Sequence, residues 1–97
     1  MYNIPANADS LAANAGNPDL QLAPTGSAQG TMDFGAKGYG GPCPPVGDKP
    51  HRYIFTLHAL KTDKLDIPAG ATAALVGFYI YQNTLAKTTL TGVYGRK

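Results

Sequence analysis

The sequence predicts a mainly β fold with one helix near the C-terminus. Two observations carry this. Segments 51–61 and 85–97 alternate with period two, and between them residues 71–83 place apolar side chains at helical spacing. A third sets the background: 12 Gly and 8 Pro in 97 residues suit short strands and long loops better than a helix bundle. A chain of this length makes one domain at most. With 43% hydrophobic and 14% charged residues it can pack a core, though a thin one.

Residues 1–18 hold Tyr2, Ile4 and Leu11 among Asn, Ala, Asp and Pro. Tyr2 to Pro5 reads as the tail of a strand closed by proline. Asp9, Ser10 and Leu11 read as the opening of one helical turn that Gly16, Asn17 and Pro18 end. Residues 19–50 carry too many glycines for a helix, and read as loops with one short strand. Long ordered loops in small domains are often functional.

The clearest strand is 51–61, HRYIFTLHALK. It sets Tyr53, Phe55, Leu57 and Ala59 on one face, and Arg52, Ile54, Thr56, His58 and Leu60 on the other. Ile54 and Leu60 interrupt the polar face, which predicts cover on both sides for part of its length. A turn and a short extended piece follow over 62–69. Ala71, Ala74, Leu75, Phe78, Tyr79, Gln82 and Leu85 form the stripe that predicts a helix over 71–83, capped by Thr72 and ended by Asn83. A strand is the rival reading, because Val76 and Tyr79 to Tyr81 also suit one. In the tail, Lys87, Thr89, Thr91 and Val93 alternate with Thr88, Leu90, Gly92 and Tyr94 as a final strand.

Several function classes drop out. A net charge of +2 with scattered basic residues lacks the basic stripe of a nucleic-acid binder. The apolar stretch from Ala69 to Tyr81 is too short and interrupted for a membrane span. Neither the basic region nor the apolar run of a signal peptide opens the chain, so the expected location is cytoplasmic. One Cys and two His have no metal-ligand spacing, no phosphate-binding glycine loop is present, and no cofactor is called for. The single cysteine, Cys43, has no partner for an internal disulfide.

The richest stretch runs from Gly38 to Tyr53, GYGGPCPPVGDKPHRY. Glycines let backbone amides approach a ligand, and prolines fix the loop. His51 and Arg52 at the mouth of a strand add donors for an anion, with Tyr53 as a hydroxyl on an aromatic wall. The bland alternative is an ordinary Gly/Pro connection. A catalytic alternative takes Cys43 as a thiol nucleophile, His51 or His58 as base, and Asp48 or Asp33 as orienter, in a small esterase-like hydrolase whose site forms at a subunit interface. Spacing alone does not identify such a group, because triads are recognised by geometry. Asp63, Lys64 and Asp66 read as a solvated turn.

This stretch, with the spacing Pro-Pro-x-Gly-x-x-x-His-Arg-Tyr from Pro44 to Tyr53, resembles the signature of the phosphatidylethanolamine-binding family, in its bacterial Raf-kinase-inhibitor-like branch. Ala28 to Gly30, Asp33 to Gly35 and the downstream ALVGFYIYQNTLAKTTLTGVYGR fit the same branch, so the resemblance covers nearly the whole chain. It implies a β-sandwich with a small pocket for phosphate-like or acetate-like anions. Carried over by position, the pocket wall is Pro44, Pro45, His51 and Tyr53, with Tyr39 and Cys43 as neighbours in the loop. Arg52 ranks below His51, turned toward structural contacts.

Departures from the family pattern bear on the site. The upstream Asp-Pro-Asp-x-Pro motif and His-Trp pair of the family are not in this sequence, and Met32 stands where related sequences tend to have Asn. The start at Met1 resembles the stretch after the His-Trp pair, so the 97 residues read as a single truncated domain. Its first fifty residues are loop-rich, and strand, helix and strand follow. The pocket is then half present, and sheet edges and apolar faces lie open. That exposure predicts a homo-oligomer formed by strand exchange or edge pairing.

Overall fold

A computed structural model of the chain describes residues 1–31 and 37–97. Three elements organise its second half: strand β1 (His51–Leu60), helix α1 (Ala73–Asn83) and strand β2 (Thr84–Tyr94). The fold is mainly β with one helix, as the periodicity predicts. Among the described residues the sheet has two strands, an antiparallel β1–β2 pair. The sandwich implied by the resemblance is therefore reduced here to one hairpin whose connection contains the helix.

Register follows from the pleat. Tyr53 pairs with Gly92, Phe55 with Leu90 and Leu57 with Thr88, while Arg52 pairs with Val93, Ile54 with Thr91 and Thr56 with Thr89. Directly opposed residues share a face, so both strands divide their side chains as their alternation predicts. Cover is a different matter. Ile54, Phe55 and Leu57 are 58%, 50% and 62% exposed, so the middle of β1 is open on both faces rather than covered. Only Tyr53, His58 and Leu60 are half-buried.

Helix α1 starts where Thr72 accepts a hydrogen bond from the Leu75 amide at 3.2 Å, an N-cap that satisfies one of the orphan donors of the first turn. Its last turn passes into β2 without a linker. The Asn83 side-chain amide donates to the Tyr79 carbonyl at 2.8 Å and the Thr84 hydroxyl to the Ile80 carbonyl at 2.7 Å. Thr84 has given up its one proton, so it accepts from His58 Nδ1 at 3.1 Å. His58 is thus a sheet residue that ties β1 to the helix end.

The predicted stripe does not face inward. Val76 is buried and Tyr79, Ile80 and Asn83 are half-buried, whereas Leu75, Phe78 and Leu85 are exposed, the last lying in β2. An i, i+3, i+4, i+7 set exists, but it is rotated from the one the sequence favours. Nearly every position from Leu75 to Tyr81 is apolar, so periodicity cannot single out the face that packs.

The first fifty residues form no strand among those described, only isolated bridges. Tyr2 and Ala28 exchange two backbone hydrogen bonds of 2.8 Å each. Asn3 holds the far segment: its side-chain amide donates to the Leu65 carbonyl at 3.0 Å, and its oxygen accepts from the Leu65 amide at 2.7 Å. The helical turn expected to open at Asp9 and end at Pro18 instead begins there. Asn17 caps a short 3-10 turn, Pro18–Leu20, through the Asp19 amide at 2.9 Å. Asn before Pro is a starting signal, since proline lacks the N–H that the first helical residue leaves unpaired.

Ala15, Leu65, Val76 and Pro44 are the buried apolar residues among those described. The accessible surface, 7375 Å², exceeds the roughly 5300 Å² of a closed monomer of this length. The radius of gyration, 14.3 Å, likewise exceeds the roughly 12.5 Å of a closed domain. The hairpin and helix present apolar surface that nothing within the described residues covers.

Candidate functional site

The Gly38–Tyr53 loop leads into β1 through three fixed points. Gly38 is the first. Its φ is +92°, and a Cβ there would lie 2.6 Å from the Gly16 carbonyl oxygen and 2.7 Å from Pro18, so only glycine fits. The Tyr39 amide then donates to Gly16 O at 2.8 Å. This directs the Tyr39 ring onto Phe55, edge to face with centroids 5.8 Å apart, a favourable aromatic geometry. Tyr39 therefore reaches the β1 face that carries His51 and Tyr53.

Pro44 is the second fixed point and is fully buried. Its carbonyl accepts from Arg96 Nε at 2.7 Å, which anchors the loop to the end of β2. Pro45, next in the chain, is exposed and opens the third feature, a turn closed by the Asp48 amide on the Pro45 carbonyl at 3.2 Å. Gly47 takes the third position with φ +82°, as a type II turn requires.

The turn delivers Asp48 to His51. Asp48 Oδ1 accepts from the Lys49 amide at 2.9 Å, and Oδ2 lies 2.8 Å from His51 Nε2. The hydrogen bond with His51, and next the one from the Lys49 amide, hold the Asp48 carboxyl below its ordinary range. Both side chains are close to half exposed, so water screens the pair and it contributes little to stability.

Of the predicted site residues, His51 and Tyr53 share one face of β1 by strand alternation, and Tyr39 packs on that face at Phe55. Pro44 acts from behind as a buried anchor, and Pro45 lies on the solvent side of the turn. Cys43 is exposed and free, and the His51 ring is engaged by Asp48 rather than by the thiol. Asp33 and Met32 lie outside the described residues, as does the stretch Asp33–Gly35. Sequence reasoning named Asp48 only as an orienter for a cysteine and did not single out Arg96. Asp-x-x-His across a proline-flanked turn was the available signal for the first, and nothing local announces the second.

Clefts open on the described surface near His51 and away from it. A cleft of about 300 Å³ between the turn and the chain end is lined by Gly47, Asp48, Pro50, Gly95, Arg96 and Lys97, beside His51. A larger one, about 470 Å³, lies between the N-terminal loops and the Ile67–Ala71 segment; neither is lined by Tyr39, Pro44, Pro45, His51 or Tyr53, and of the residues considered for the site only Asp48 lines the first. The site is read from the first because the charged and hydrogen-bonded groups gather there.

Comparison with known proteins bears on this arrangement. The profile of the phosphatidylethanolamine-binding proteins matches residues 1–95. The chain belongs to the phosphatidylethanolamine-binding protein family. It is 47% identical to UPF0098 protein YbcL of Escherichia coli over 97% of this chain and 51% of that protein. With UPF0098 protein YbhB of the same organism the identity is 40%, over 97% of this chain and 58% of that one. A crystal structure of E. coli YbcL, described as a new member of the mammalian PEBP family, superposes with a TM-score of 0.89 at 46% identity, covering 98% of this chain and 58% of that one. The chain thus spans little more than half the length of these relatives. Among the described residues no helix is long and apolar enough to cross a membrane.

Proposed function

We propose that the chain is a small ligand-binding or regulatory protein of this family that takes a phosphate-like anion at the mouth of β1. Tyr39, His51 and Tyr53 form its wall, Pro44 anchors the loop behind them, and Pro45 opens the turn beside them. What supports the reading is that His51 and Tyr53 share by strand alternation the face on which Tyr39 packs against Phe55, beside a loop fixed at Gly38 and Pro44. An imidazole and a phenol two residues apart on a strand lie about 6.6 Å from each other along the chain, a span that one oxyanion bridges with two hydrogen bonds. Asp48 is the built-in competitor, since its carboxylate occupies Nε2 of His51. Family membership supports the ligand-binding class, and the choice of a phosphate-like anion rests on the His51 and Tyr53 donors.

The same proposal has the chain act as a homo-oligomer within a β-sandwich arrangement. An accessible surface about 2000 Å² above that of a closed monomer is more than the roughly 800 Å² per partner that a stable interface buries.

The test is a titration of labelled protein with inorganic phosphate, followed by NMR shifts of His51 and Tyr53, against His51→Ala and a Lys87→Ala control. Binding that His51→Ala weakens at least tenfold supports the site. Equal phosphate affinity in His51→Ala and the parent sinks it.

A further inference from the structure

The residues after β2 hold the site loop at three places. Arg96 Nε donates to the Pro44 carbonyl at 2.7 Å. The Arg96 carbonyl accepts from the Gly47 amide at 2.9 Å, and Val46 and Arg96 form a parallel bridge. Gly95 backs onto Pro50, where an added Cβ would stand 3.2 Å from Pro50 Cα. These contacts fall before the Pro45–Asp48 turn, inside it and just ahead of His51. They therefore bracket the segment that presents Asp48 and His51.

We infer that Arg96 is a positioning residue for the anion site: docking of the Gly95–Arg96 segment sets the turn that places Asp48 against His51. The physical reason is the shortage of other restraint. The turn's own bond, Asp48 N to Pro45 O, is 3.2 Å, and residues 45–50 are all exposed. Pro44 is buried, and its carbonyl has a charged donor as partner, the stronger kind of hydrogen bond. An arginine also suits the place geometrically. Its Nε–H leaves along the side of the guanidinium, so the group donates to Pro44 while Arg96 also lines the cleft with Asp48 and Lys97. Lysine supplies a charge but no Nε–H fork.

The inference rests on the proposed anion site for its functional meaning, yet its structural content stands apart and is measured separately. The experiment compares the parent, Arg96→Ala, Arg96→Lys and Lys87→Ala. Two readouts are taken on each: the Asp48 carboxyl titration by NMR, and affinity for inorganic phosphate. In Arg96→Ala the Asp48 titration moves up toward the ordinary carboxylate range, Gly47 amide exchange accelerates, and phosphate affinity rises about threefold as Asp48 releases Nε2 of His51. Arg96→Lys restores little of this, and Lys87→Ala changes nothing.

An unmoved Asp48 titration and Gly47 exchange in Arg96→Ala overturn the inference whatever phosphate does. A shifted titration with unchanged phosphate affinity overturns it too, because the segment then fixes the turn without serving the site. If the parent itself binds no phosphate, the anion reading falls, and Asp48 and Gly47 alone decide whether Arg96 sets the turn. Should Arg96→Ala lose its fold altogether, Gly95→Ala serves instead. It presses a Cβ against Pro50 while leaving the guanidinium intact, and is expected to shift the same two structural readouts to a smaller extent.

Discussion

Asn3 offers the sharpest test of how the loop-rich half is held. Its side chain makes both hydrogen bonds that a neighbouring strand would give Leu65, accepting from the amide at 2.7 Å and donating to the carbonyl at 3.0 Å. Leu65 is only 4% exposed, so water has poor access to replace them. Asn3 also sits at φ +58°, a left-handed conformation that asparagine tolerates better than alanine. Losing two net hydrogen bonds at about 1 kcal/mol each, with about 1 kcal/mol more for alanine in that conformation, gives a destabilisation near 3 kcal/mol for Asn3→Ala. For a chain of this size each kcal/mol lowers Tm by about 4–8 °C. Asn3→Gly removes the same bonds but relieves the backbone, so it falls about 1 kcal/mol short of the alanine effect. The assay is thermal melting together with amide exchange at Leu65, which accelerates in both variants. If Leu65 protection is unchanged in Asn3→Gly, the clamp contributes nothing and the alanine effect is backbone strain alone.

Three further outcomes follow from the geometry. Asp48 has a depressed carboxyl, so its pairing favours the folded protein above the ordinary carboxylate range and is lost as pH falls through the depressed value; Asp48→Asn removes that part of the acid limb in a pH-melting series. The same variant breaks the charged pairing at His51 Nε2 and removes one negative charge beside the proposed anion, which raises phosphate affinity about threefold in the NMR titration. Gly38→Ala, at φ +92° and with a Cβ meeting Gly16 O at 2.6 Å, costs about 1–2 kcal/mol for the conformation alone; urea unfolding reports it, along with loss of the Tyr39–Phe55 contact in aromatic NOEs. Thr72→Ala removes the helix cap and lowers stability by about 0.5–2 kcal/mol, again read by urea midpoint.

Strand positions were legible because period two survives local noise: the predicted faces of 52–59 and of 87–94 agree with the β1–β2 register, which shifts beyond Ala59 where β1 ends at Leu60. The helix was legible in extent, through Thr72 and Asn83, but not in orientation. When Leu75, Val76, Phe78, Tyr79, Ile80 and Tyr81 are all apolar, the buried side is chosen by what is available to pack against it. Here that is the loop around Gly30, whose hypothetical Cβ lies 3.4 Å from Val76. Tertiary bonds across 52 and 62 residues, Arg96 to Pro44 and Asn3 to Leu65, leave no local trace. In the site, His51 and Tyr53 stand out by spacing from the proline pair, while the role of Asp48 depends on a turn that only the folded loop displays.

The position of the site within the sheet links its behaviour to surface that remains open. His51 and Tyr53 project from the same face of β1 as Phe55 and Leu57, and the opposing strand adds Leu90 to that face. Phe55, Leu57 and Leu90 are 50%, 62% and 72% exposed. A two-stranded hairpin is marginal by itself in water. Burying apolar area at about 25 cal/mol per Å² on this face stiffens the strand from which the site residues project. Tyr39 already supplies part of that cover from one end, through Phe55. Whatever layer packs over Leu57 and Leu90 continues it, and so comes to lie against the proposed anion wall as well. Occupancy of the site and cover of the hairpin face should therefore be coupled, each reducing the conformational freedom the other must overcome. Because such coupling is reciprocal, saturating phosphate should slow amide exchange at Leu57 and Leu90, beyond the reach of any direct contact with the anion.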